Sequence, residues 1–148
     1  MTQPETILLP QTRARLLVGE DNTEILQETR ELLTQNFDLV ALAEDGVQLV
    51  GCAEKFKPDV VVTDISMPKL DGIEASRRIL ERGYCKSIVI CSINNSPEIV
   101  RSAFAAGIKA YVVKEDAGEE LVSAIRSALE GNLFVSSSIP RESILFGQ

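Results

Sequence analysis

The sequence predicts an α/β domain: a doubly wound parallel sheet of five strands with helices on both faces, in three layers. Two observations carry that expectation. Five short apolar runs alternate with five amphipathic stretches of helical length, with no internal repeat and no linker between them. The runs, VVVT and SIVIC among them, are continuous rather than alternating, as strands buried on both faces require. In the strand order 2-1-3-4-5 the switch point of such a sheet lies between strands one and three.

The first strand is expected over residues 13–19. A helix follows over residues 23–35, with Ile25, Thr29, Leu32 and Leu33 on one face. Strand two occupies residues 37–43 and helix two residues 46–56. Pro58 then opens strand three at residues 59–63. Helix three begins near Gly72 and stops at Gly83, a residue that tolerates the left-handed turn ending many helices. Strand four is placed at residues 87–91. Ser96 reads as an N-cap and Pro97 as the first helical residue of helix four, which ends at Gly107. Strand five covers residues 109–113. The last helix covers residues 118–130, with Leu121, Val122, Ile125 and Leu129 inward and Gly131 as its stop. This gives a domain over residues 13–131, an extension over 1–12 marked by Pro4 and Pro10, and a tail over 132–148.

Composition narrows the function classes. The chain has 148 residues, 45% of them hydrophobic and 25% charged, as in an ordinary globular domain with one substantial core. Its net charge of −7, with no Lys/Arg cluster, argues against nucleic-acid binding by this chain alone. No apolar run is long enough to span a bilayer, so no membrane partner is expected. Three cysteines without metal spacing point to reduced thiols and a cytoplasmic setting. Histidine is absent, so any metal must be held by oxygen.

The chemistry-bearing residues all fall at one edge of the expected sheet. Glu20 and Asp21 follow strand one, Asp64 follows strand three, Ser92 follows strand four and Lys114 follows strand five. Each has a bland reading when taken alone: a turn former, a helix-start acid, a solvated lysine. Their coincidence at the edge where this architecture binds ligands outweighs those readings. Three converging carboxylates need a counter-charge, and a hard divalent cation such as Mg2+ (or Mn2+) suits them. A carboxylate nucleophile, a metal, an ammonium and a hydroxyl together are the equipment for forming and holding an aspartyl phosphate.

The segments LLVGEDN, VVTDISMPKLDGIEA, IVICSINN and GIKAYVVKEDAGEELVSAIRSALEGN resemble the receiver domain of two-component response regulators, over roughly residues 13–131. The resemblance is strongest to receivers of the helix-turn-helix (LuxR/NarL-like) transcription-factor branch. It implies a flavodoxin-like fold and an Asp64 that accepts a phosphoryl group from a sensor histidine kinase or phosphotransfer protein. It further implies metal ligation by Asp21, Asp64, Glu20 (mainly through water) and the Ser66 backbone carbonyl. Lys114 and Ser92 would contact the phosphoryl oxygens, Tyr111 would be the switch aromatic, and Ser66 and Asn94 would tune phosphate lifetime. The implied protein is a phosphorelay switch, not a turnover enzyme, that forms a homodimer through helix four, strand five and helix five when phosphorylated. Ile93 stands where the family often has alanine, which implies narrowed access to Asp64 or a restricted Tyr111. A DNA-binding module would need roughly sixty more residues of helical pattern, and the segment after Gly131 does not supply them. The chain is therefore expected to be a stand-alone receiver or the receiver part of a longer regulator. A flavodoxin-type carrier is disfavoured by the acidic GEDNTE loop, and an acid-nucleophile phosphohydrolase by Ser66 where a second aspartate is expected. A pseudo-receiver acting only by protein interaction remains the alternative.

Overall fold

The computed structural model describes residues 13–145; the extension expected over residues 1–12 lies outside them. In chain order the elements are β1 (Arg15–Gly19), α1 (Thr23–Leu33), β2 (Asp38–Ala43), α2 (Gly46–Phe56), β3 (Val60–Thr63), α3 (Gly72–Glu81), β4 (Ile88–Ser92), α4 (Pro97–Ala105) and β5 (Ala110–Val113). A 3-10 turn (Lys114–Asp116) leads into α5 (Ala117–Leu129), followed by β6 (Phe134–Val135) and α6 (Arg141–Leu145). The sheet is parallel throughout, in the order β2-β1-β3-β4-β5-β6. The five-strand order read from the sequence is present, with a sixth strand added.

Strand periodicity sorts the core into two layers. Leu17, Val61, Ile90 and Tyr111 face one side, where Leu49 and Ala53 of α2, Ile79 of α3 and Val100 of α4 cover them. Their neighbours Leu16, Val18, Val60, Val62, Val89 and Val112 face the other side, against Leu33 of α1 and Leu121 and Ile125 of α5. Both faces of β3 and β4 are thus buried, which explains why those strands read as unbroken apolar runs. All three cysteines are free, with Cys85 and Cys91 buried and Cys52 half-buried.

Three details differ from the sequence reading, while the glycine stop of α3 agrees with it. The inward face of α5 is Leu121, Ala124, Ile125 and Ala128, while Leu129 is 39% exposed, because two alanines let the helix lie close to the sheet. Ser96 has N-cap backbone geometry but makes no side-chain cap hydrogen bond; its own amide donates to Asn94 Oδ1 at 2.9 Å. Gly83 follows the C-cap residue Arg82 in the left-handed conformation at φ +72°, the helix stop expected there. The fold also continues past Gly131. Phe134 and Val135 pair with Ala110 and Tyr111, α6 packs on α4, and Ile139 is 2% exposed within the first core layer. An apolar cleft of about 380 Å3 between α4, β6 and α6, lined by Phe104, Leu133 and Ile144 among others, contains none of the strand-end acids.

Candidate functional site

The strand ends bring the expected residues together. Glu20 and Asp64 leave β1 and β3, which pair directly with Gly19 opposite Thr63. Both carboxylates are buried, at 4% and 7% exposure, while Asp21 is exposed. One oxygen from each of Glu20, Asp21 and Asp64 lies within 4.8 Å of the others. Lys114 reaches across from the end of β5 and its Nζ donates to Glu20 Oε1 at 2.8 Å and to Asp64 Oδ2 at 2.9 Å. Burial pulls the Lys114 ammonium down, but the hydrogen bonds to Glu20 and Asp64 outweigh it and leave the pKa raised.

The remaining carboxylate oxygens are held by backbone. Asp64 Oδ1 accepts from the Ile65 amide at 2.7 Å, and Glu20 Oε2 accepts from the Asn22 amide at 3.0 Å. Helix α3 is pressed against this turn: the Gly72 amide donates to the Ile65 carbonyl at 2.7 Å. A Cβ at Gly72 would sit 1.9 Å from the Asp64 carbonyl oxygen, so only glycine fits where the helix begins. Asp71 caps that helix through the Glu74 amide at 2.9 Å. The DG dipeptide of PKLDG therefore does two jobs, capping and close approach. The loop between them, which carries the exposed Ser66, is tied to α2 by a Gly46 N–H to Pro68 carbonyl bond of 3.3 Å and a Lys69–Asp45 ion pair of 3.5 Å.

A second chain of contacts starts at Ser92, buried at the end of β4. Its Oγ accepts from the Asn94 amide at 3.1 Å, and the Asn94 carbonyl accepts from the Tyr111 hydroxyl at 2.7 Å. Tyr111 is fully buried. Desolvation pushes its phenol up to about 12, although a hydrogen bond with Ser92 pulls the other way. Ile93 is 79% exposed and turned outward, so in this conformation Asn94, not Ile93, engages Tyr111. The sequence assigned Asn94 only a part in phosphate lifetime; the backbone bridge it makes leaves no side-chain signal to read.

Residues 16–126 match the response regulator receiver domain family. The chain belongs to that family. It is 33% identical to the chemotaxis protein CheY of Bacillus subtilis over 116 residues, which is 78% of this chain and 97% of that one. It is 27% identical to the nitrate/nitrite response regulator NarL of Escherichia coli K12 over 131 residues, 87% of this chain and 61% of NarL. Among solved structures, a LuxR-family two-component response regulator from an Aurantimonas species superposes with a TM-score of 0.84 at 30% identity, covering 90% of this chain and 96% of that one. The receiver thus has LuxR/NarL-type relatives, as the sequence predicted. It spans 56% of the length of the transcriptional regulator DegU of Brevibacillus brevis, another relative. Receiver domains are signalling modules of two-component systems, transcription factors among them, and bind Mg2+ at an acidic pocket. In this chain Glu20, Asp21 and Asp64 form an acidic cluster at the same edge of the sheet. No helix among the described residues is long and apolar enough to cross a membrane.

Proposed function

We propose that this receiver is a phosphorylation switch with Asp64 as its phosphoacceptor. The observation that carries the reading is the Lys114 ammonium held between Glu20 and Asp64 at the mouth of the sheet. Asp64 is one of two buried carboxylates paired to the cation that would receive the incoming phosphoryl oxygens, and the family resemblance selects it over Glu20 as the acceptor. A carboxylate oxygen of Asp64 attacks the phosphorus of a phosphohistidine on a kinase or phosphotransfer protein. The phosphorus–nitrogen bond breaks, the imidazole leaves and takes up a proton, and an acyl phosphate remains on Asp64.

The donor set fits a hard divalent cation. Three carboxylates converge, and the single positive charge of Lys114, shared between Glu20 and Asp64, leaves a formal surplus of two negative charges. Glu20, Asp21 and Asp64, with the Ser66 carbonyl, would hold Mg2+ or Mn2+. Bound there, the ion supplies charge neutralisation for the attacking carboxylate and the phosphoryl oxygens. Lys114 orients one phosphoryl oxygen, and the Ser92 hydroxyl donates to another after leaving the Asn94 amide. That exchange loosens the carbonyl that holds Tyr111, which couples the phosphoryl group to β5 and α4 as a population shift. Ser66 and Asn94 flank the site and are proposed to set how fast water removes the phosphate.

The partners proposed are a sensor histidine kinase or phosphotransfer protein in the cytoplasm. Phosphorylation is proposed to favour a homodimer through α4, β5 and α5. Because β6 lies on β5 and α6 on α4, the C-terminal segment must join that interface or lift from it. By its relatives the chain is proposed to act either as a stand-alone receiver, like the CheY it matches over nearly its whole length, or as the receiver part of a transcriptional regulator like NarL.

Intact mass and size exclusion with Mg2+ and acetyl phosphate test this reading. A phosphoryl mass gain in the wild type that disappears in Asp64→Asn is expected. Equal labelling of that variant would remove Asp64 from its role. No labelling of the wild type would favour a phosphorylation-independent interaction module.

A further inference from the structure

The run Ser136–Ser138 lies outside the site just described, in the segment that the sequence presented only as a tail. The structure sets each of its serines against the junction from which Lys114 emerges. The β5–β6 ladder begins with the Phe134 amide donating to the Lys109 carbonyl at 3.0 Å and continues with the Ser136 amide donating to the Tyr111 carbonyl at 2.9 Å. The next β5 amide is that of Val113, but β6 has ended at Val135 and its backbone has turned away. The Ser136 side chain takes over, its Oγ accepting from the Val113 amide at 2.8 Å. Ser136 is fully buried and Val113 is 2% exposed, so no bulk solvent replaces that acceptor. On the other side of Lys114, the Ser138 hydroxyl donates to Asp116 Oδ2 at 2.7 Å, at the end of the 3-10 turn. The Ser137 hydroxyl donates to Glu120 Oε2 at 2.5 Å on the first turn of α5.

We propose that Ser136 is a positioning residue for the phosphoryl site, fixing through the Val113 amide the point and direction in which Lys114 leaves the sheet. The proposal rests on the assignment of Asp64 and Lys114 made above. Lys114 spans from β5 past the end of β4 to groups on β1 and β3, so its ammonium lies at the end of a long lever. A tilt of about ten degrees at its backbone moves the ammonium by about 1 Å, a misplacement that costs one or two orders of magnitude in rate. Removing the Ser136 acceptor leaves a buried amide unpaired, and the cheapest relief is for the end of β5 to move toward water. The Ser136 hydrogen bonds to β5 run to the Val113 amide and the Tyr111 carbonyl, so it acts through this backbone and not on the carboxylates.

The test is the rate of self-phosphorylation by acetyl phosphate with Mg2+, followed by intact mass over a range of donor concentrations. Wild type is compared with Ser136→Ala, Ser136→Thr and, as a control on the exposed rim, Ser137→Ala. Ser136→Ala is expected to lower the maximal rate about tenfold with the half-saturating donor concentration little changed, since the ammonium acts mainly on the transferring group. Ser136→Thr, which keeps the hydroxyl, and Ser137→Ala should both stay near wild type. A folded Ser136→Ala labelled at the wild-type rate overturns the proposal, as does an equal loss in the alanine and threonine variants. Should Ser136→Ala fail to fold, hydrogen exchange of the wild-type Val113 amide decides. Protection matching that of the Tyr111 amide supports the proposal, and exchange as fast as an exposed loop overturns it. If the wild type itself takes no phosphoryl group, the Asp64 assignment has failed, and this inference fails with it.

Discussion

Tyr111 is the largest fully buried side chain described, and a buried phenol must place its hydroxyl on a partner. Here that partner is the Asn94 carbonyl, so the ring is held by the loop that also holds Ser92. Its pKa, raised from 10.0 to about 12, makes a prediction about alkaline stability. Below about pH 10 the phenol is protonated in both folded and unfolded chains, and its titration has no effect on stability. Above that, the unfolded chain releases the proton while the folded chain keeps it, so stability falls as pH rises, by about 3 kcal/mol once the folded pKa is passed. Urea midpoints measured from about pH 9 to about pH 11 should therefore decline less steeply in Tyr111→Phe than in the wild type. Identical slopes would mean that the phenol is not held in this environment. Tyr111 was singled out only by the resemblance to receiver domains; its partner is a backbone oxygen, which carries no residue identity.

Among the elements, Gly51 within α2 and Gly72 at the start of α3 meet opposite demands. Gly72 begins α3 against the Asp64 backbone, and a Cβ there overlaps a carbonyl oxygen that cannot swing aside. Gly72→Ala should destabilise by about 2–4 kcal/mol and disturb labelling of Asp64, both measurable on one preparation. Gly51 lies in the exposed middle of α2 with nothing within 4 Å of its Cβ position. Gly51→Ala should instead stabilise by about 0.5–1 kcal/mol, because alanine loses less backbone entropy in a helix. A loss of stability at Gly51, or none at Gly72, would contradict these packing assignments. Helix positions were legible because the apolar period of the core faces is strong. The inward face of α5 was misread at Leu129 because alanines at 124 and 128 let the backbone approach the sheet, and small residues give little weight to a hydrophobic pattern.

At the scale of the molecule, the strand ends and their acids were legible because a parallel sheet gathers its C-terminal edges in one place. The closing elements were not. A strand of two residues has no period, and its ladder is finished by a serine hydroxyl rather than by backbone. Yet β6 covers β5, and the segment after it buries Ile139 within the core. A chain shortened after Gly131 should lose about 3 kcal/mol or more, from the apolar area of Ile139 and the unpaired Val113 amide. It should also associate more strongly in light scattering, since β5 becomes an open edge. Unchanged melting and scattering would show that β6 and α6 contribute little to the fold. The thiols offer a practical consequence of the same layering. Cys85 and Cys91 are sealed in the core, and burial has pushed Cys91 to about 12, while Cys52 on α2 is half-buried. A maleimide dye applied to the folded chain therefore has one practical point of attachment, giving a reporter on the α2 layer without a single engineered residue.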